Sequence, residues 1–117
     1  MPALNYQKQF APLVESGQKR QTIRARRKHP IKRGDRLHHF TGMRTKACRR
    51  LRGNVEDYCA FTVDITIHEN RIETEDHVTV PGKEIIAQAD GFKDFAEMLA
   101  WFQKTHGLPF HGQLIRW

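Results

Sequence analysis

The sequence predicts an α+β fold in a single domain, residues 1–117. Five to seven mostly antiparallel strands form a small mixed or antiparallel β-barrel, with two or three helices packed against it. Three observations predict this. Phe61, Val63, Ile65 and Ile67 alternate with Thr62, Asp64 and Thr66, the period of a strand with one buried face. Phe95, Met98, Leu99 and Phe102 recur at helical spacing, and Phe92 extends the stripe. The remaining apolar segments are short and turn-linked, which favours a barrel over an open sheet. A chain of 117 residues has the length of one domain. Its 38% apolar content argues against disorder.

Taken in order, "ALNY" (3–6) can start a strand. Phe10, Leu13 and Val14 have helical spacing, and Pro12 is tolerated only near a helix start, so a short helix runs to about Ser16. Gly17 is its stop. "RQTIRAR" (20–26) is β-like around Thr22 and Ile23. Pro30 and Gly34-Asp35 mark a turn region. "RLHHFTG" (36–42) is a strand closed by Gly42, and "MRTKACRRL" (43–51) is a helical turn or a loop. "YCAFTVDITIHEN" (58–70) is the clearest strand. "RIETED" (71–76) and "HVTV" (77–80) are shorter ones, the second ended by Pro81-Gly82. "KEIIAQADG" (83–91) is a short helix with Gly91 at its end. The best helix lies in 92–107, with Asp94 and Glu97 at capping-box spacing and Gly107 as its end. "PFHGQLIRW" (109–117) returns as the last strand.

Charge is uneven. Residues 19–52 carry fourteen Lys or Arg against one acid, Asp35, whereas residues 53–117 carry five basic and eleven acidic residues. Such an imbalance favours a face that contacts phosphate, and the partner expected is RNA or a modified nucleoside. No amphipathic basic helix with an aromatic face is visible, and no apolar run could span a membrane, so a membrane partner is not expected. The first ten residues lack a basic flank followed by an apolar stretch, so no signal peptide is expected and the reading is cytoplasmic. Cys48 and Cys59 make no disulfide framework and read as buried or half-buried free thiols. No CxxC occurs, and seven scattered histidines offer no better ligand spacing than His106 and His111, so no metal or other cofactor is expected.

Three strings carry a family resemblance. They are the G-x-K-x-x-T-I-R pattern at Gly17, Lys19, Thr22, Ile23 and Arg24, the pair Gly34-Asp35 in "KRGDRLHHFTGMRTKACRRL", and Asp90-Gly91-Phe92 ahead of a helix and "KTHGLPFHGQLIRW". Over nearly the whole chain this resembles an ASCH domain, and "FTGMRTKACR" resembles the ASCH proteins of bacteriophages and prophages. The resemblance implies a PUA-like barrel with flanking helices and a role on RNA. Some small bacterial members with the first string hydrolyse N4-acetylcytidine to cytidine. They use a lysine as proton acceptor, a threonine as nucleophile and a glutamate as proton donor. Carried over, these are Lys19, Thr22 and Asp90, the last one methylene shorter than the family's residue. Other members cleave RNA or only bind it, and fold alone does not choose among them.

The residues permit the catalytic reading. A threonine hydroxyl needs a base beside it. Lysine serves only if its pKa falls from about 10.4 towards neutrality, through burial or neighbouring cations. In a regular strand residues 19 and 22 face opposite ways, so Lys19 must sit in the turn after Gly17 to meet Thr22. Thr22 and Arg24 then share one face and Ile23 points to the core. Asp90 either joins this site or caps the following helix. Arg24, Arg26, Arg27, Lys28, Arg44, Lys46 and Arg49 are the expected phosphate contacts. One of His38 and His39 must face outward, which keeps a ribonuclease as an alternative, and Tyr58 or Trp117 could stack on a base. The expectation is therefore an RNA- or nucleoside-binding domain with a basic cleft, acting without metal on N4-acetylcytidine. The alternative is an RNA-binding module without turnover.

Overall fold

The structure, a computed structural model, describes residues 2–75 and 81–117. The strand expected at 77–80 lies outside the described residues. Among the described residues, two four-stranded sheets and three helices make the fold. In the first sheet β1 (Ala3–Tyr6) pairs in parallel with β3 (Arg36–Thr41), and β3 pairs antiparallel with the two-residue β4 (Arg49–Arg50) and β5 (Asp57–Tyr58). The second sheet is antiparallel throughout. Its order is β2 (Gln21–Ala25), β8 (Phe110–Arg116), β6 (Phe61–Ile67) and β7 (Ile72–Thr74). No ladder among the described residues joins the two sheets into a closed barrel.

One strand expected over 58–70 is two. The chain pairs with the first sheet at β5, then with the second from Phe61. At the crossing, the Cys59 amide donates to Asp35 (2.8 Å) and the Ala60 amide to Arg116 (2.8 Å), so the backbone changes sheets without orphaned donors. The stretch 43–51 is a loop ending in β4 rather than a helical turn.

The helices stop where their residues dictate. Helix α1 (Ala11–Ser16) has Pro12 in its first turn, where a missing amide costs nothing, and ends at Gly17 with φ +84°. That left-handed turn reverses the chain and delivers Lys19 just ahead of β2. Helix α2 (Lys83–Ala89) ends on Asp90. Helix α3 (Phe95–Thr105) is capped by Asp94, whose Oδ1 accepts from the Glu97 amide at 2.8 Å. Asp94 fills the role that Asp90 was the other candidate for. Phe95, Met98 and Phe102 of the α3 stripe are buried in one core with Leu4 of the first sheet and Ile67 and Leu114 of the second.

Candidate active site

Lys19 is buried, although it lies one residue beyond a surface turn. Its ammonium group donates to the Asp90 backbone carbonyl and lies 3.2 Å from Asp90 Oδ1. The Phe10 ring centroid is 5.1 Å from Nζ. Burial pushes the lysine pKa below its ordinary value, against the opposing pull of Asp90. Asp90 is buried too, and burial pushes its carboxyl upward, against the pull of Lys19. Gln21 holds this carboxyl in place, donating Nε2 to Oδ1 (3.3 Å) and to the Ile86 carbonyl (3.1 Å). Burial thus disfavours both charges of the pair, and their mutual attraction favours them. The alternative is a neutral amine beside a neutral acid. That state has the same number of protons as the ion pair, so a single transfer interconverts them.

Thr22 follows on the edge strand β2, buried, with Ile23 turned to the core. Arg24 Nε donates to Thr22 Oγ1 at 2.8 Å, as two residues on one strand face can. The Arg24 guanidinium lies over the Tyr6 ring, 4.8 Å from its centroid. Beneath, the Tyr6 hydroxyl is 3.0 Å from His39 Nδ1, and His39 Nε2 is 3.2 Å from Asp57 Oδ2. Arg52 Nε also donates to that carboxylate, at 3.1 Å. Burial lowers the His39 pKa to about 4 and raises that of Tyr6.

Lys19, Thr22, Arg24 and Asp90 line one cleft of about 240 Å³, between the end of β1, the edge strand β2 and the last turns of α3. Phe10 and Trp101 supply apolar walls. This is the size of one flat ring with substituents, below the roughly 300 Å³ at which drug-sized pockets begin. The cleft therefore offers a hydroxyl, a base, an acid and a fixed cation within one small, partly apolar space.

The other cations expected to contact nucleic acid are not gathered there. Arg26 is ion-paired with Asp64, Arg27 Nη2 donates to the Ala3 carbonyl (2.7 Å), and Arg49 Nη1 is 3.6 Å from Glu15 Oε1. Lys28, Arg44 and Lys46 are exposed. Arg24, expected among the phosphate contacts, is committed to Thr22 and Tyr6 instead. Of the aromatic candidates, Tyr58 is exposed, whereas Trp117 is buried with its ring centroid 4.5 Å from that of His39. His39 faces inward and His38 outward. Cys59 is buried, but Cys48 is exposed, not half-buried. Among the described residues no three His, Cys, Asp or Glu side chains converge as metal ligands would, and no helix is long and apolar enough to cross a membrane.

Tyr6 and Asp57 were not singled out from the sequence as parts of a site, and His39 only as one of two histidines a ribonuclease could use. Each reads as an ordinary strand residue, and only the pairing of β1 with β3 and β3 with β5 unites them. No protein-family model, curated protein or solved structure matches this chain.

Proposed function

We propose that this chain is a small ASCH-type domain that takes an N4-acylated cytosine into the cleft and hydrolyses its amide without metal. The observation that carries this reading is that Lys19, Thr22 and Asp90, three residues 71 positions apart at the extremes, line one ring-sized cleft, with the lysine and the aspartate buried against each other. On this reading the two sheets are halves of a PUA-like barrel, and the cleft lies at their open seam.

The chemistry is acyl transfer in two halves. Thr22 Oγ bonds to the acyl carbon while its proton passes to the neutral Lys19 amine. The C–N4 bond breaks as the Asp90 carboxyl delivers its proton to N4, leaving an ester on Thr22. Water then gives a proton to the Asp90 carboxylate and its hydroxyl to the acyl carbon. The threonine oxygen leaves with the proton that Lys19 stored, and both groups return to their starting forms. Raised acid and lowered base, set by one shared burial, are the pair of roles this sequence of transfers needs. Arg24 faces the negative charge that develops on Thr22 Oγ.

The test is release of cytidine from N4-acetylcytidine by purified protein. Wild type should turn over. Lys19→Arg fixes a positive charge that cannot be lost near neutrality, and Thr22→Val removes the hydroxyl at similar volume. Each should lower the rate by about a hundredfold or more. No release by wild type, or release by Lys19→Arg at the wild-type rate, would overturn the reading.

A second reading, an RNA-binding module without turnover, is supported by five cations of the basic half. Lys28, Lys32, Arg33, Arg44 and Lys46 are exposed, with no ion pair among the described residues. A ribonuclease has less support, since neither His38 nor His39 lines the cleft.

A further inference from the structure

Three buried polar side chains next to the cleft take no part in the reaction proposed above: Tyr6, His39 and Asp57, each 5% exposed or less. They come from β1, β3 and β5. A core that needed only volume there would be filled by Phe and Leu, because each buried polar group must be paired to avoid a penalty. We propose that Tyr6 and His39 are positioning residues: the His39–Tyr6 hydrogen bond locks the ring on which Arg24 lies, and Arg24 in turn holds the Thr22 hydroxyl for attack. The proposal rests on the acyl-transfer reading for its kinetic consequence.

Asp57 Oδ2, held by Arg52 Nε, lies 3.2 Å from His39 Nε2 but off the line of a hydrogen bond, so it is a close neighbour of the imidazole and not a link in the tether. The Tyr6 hydroxyl and His39 Nδ1, 3.0 Å apart, are hydrogen-bonded whichever of the two donates. The tyrosine is thus tethered at its far end and packed edge-on by Trp117, whose ring centroid is 6.4 Å away. A tethered ring cannot slide, and the guanidinium stacked on it at 4.8 Å keeps one orientation. That orientation aims Nε–H at Thr22 Oγ1, 2.8 Å distant. The threonine oxygen accepts there, which leaves its own proton to be given up elsewhere.

Tyr6→Phe tests this, because it keeps the ring and removes only the tether. With N4-acetylcytidine as substrate, kcat should fall about tenfold or more while KM stays within about threefold, since the change alters orientation and not cleft volume. A second readout needs no activity. By ¹⁵N NMR, exchange of the Arg24 Nε proton with solvent should accelerate about tenfold or more in Tyr6→Phe. The Arg20 Nε proton, which is donated to the Trp117 carbonyl at 3.0 Å, should not change. Arg24 exchange at the wild-type rate in Tyr6→Phe would overturn the proposal. So would equal acceleration at Arg20 and Arg24, which would mark Tyr6 as a packing residue only. If wild type releases no cytidine, the reaction is refuted, and the exchange measurement still decides whether Tyr6 holds Arg24.

Discussion

A buried histidine beside a carboxylate can gain basicity, but His39 loses it. Desolvation outweighs Asp57, whose charge is shared with Arg52, and the cations Arg52 and Arg24 both oppose a further positive charge. The consequence for stability has a definite sign. In the unfolded chain this histidine takes a proton near pH 6.5, and in the folded protein only at about 4. Between those values the unfolded state binds more protons, so stability falls as pH drops through the window, and this group's contribution levels off below about 4. Melting temperatures measured from pH 7 to pH 4 should fall more steeply for wild type than for His39→Gln, which keeps polar capacity but cannot titrate. Parallel curves would show that His39 does not set the acid sensitivity. The same residue explains why part of the site was illegible from sequence. "LHHF" identifies a strand with one histidine inward, but not which polar groups from 33 and 18 positions away will meet it. Lys19 and Thr22 were singled out by the family resemblance, and Gly17 and the strand period show only that Lys19 can meet Thr22, which shares a strand face with Arg24. Asp90 came from the family resemblance alone.

Strand β8 lies between β2 and β6 and sets the position of the edge strand that carries Thr22 and Arg24. Gly112 is where this arrangement has no tolerance. A Cβ there would fall 2.3 Å from the Arg24 carbonyl and 2.7 Å from Phe110 Cε1, so a side chain must displace the β2 backbone. Gly112→Ala should therefore destabilise the protein by about 1–3 kcal/mol, as overpacking does, and displace the cleft wall. Gly82→Ala, where nothing lies within 4 Å, should cost under about 1 kcal/mol, the usual scale for a surface change. Chemical denaturation of both variants checks the contrast, and equal effects would refute it. At this scale the sequence was informative about which segments are strands and helices, because alternation, helical spacing and glycine stops are local. It could not reveal the break at Cys59-Ala60, since the same alternation runs on both sides of the crossing. Nor could it reveal the parallel pairing of β1 with β3, which depends on chain order in space.

Over the whole molecule, the basic and acidic halves of the chain are interleaved. Acids from the second half neutralise Arg26, Arg36 and Arg52, and Glu15 meets Arg49. Five exposed cations of the basic half, Lys28, Lys32, Arg33, Arg44 and Lys46, make neither an ion pair nor a side-chain hydrogen bond among the described residues. A single RNA strand contacting all of them would lose affinity with salt at a slope of about −3.5, against about −9 for a face that kept its full sequence excess. Binding to a short single-stranded RNA, followed across salt, should give a slope no steeper than the smaller value. Lys28→Ala or Lys46→Ala should each reduce it by about 0.7, and Arg26→Ala should leave it unchanged. Affinity indifferent to salt would remove phosphate contact from the reading.

The pairing of Lys19 with Asp90 spans 71 positions. Bringing the ends of a flexible segment that long together costs on the order of 4 kcal/mol of chain entropy, which the core must supply before the two groups meet. The glycine–lysine–threonine string therefore has no special chemistry as a peptide. Cut out of the protein, Lys19 is an ordinary solvated amine. Its lowered pKa belongs to the completed fold, and any partly folded state would carry the motif with an ordinary amine.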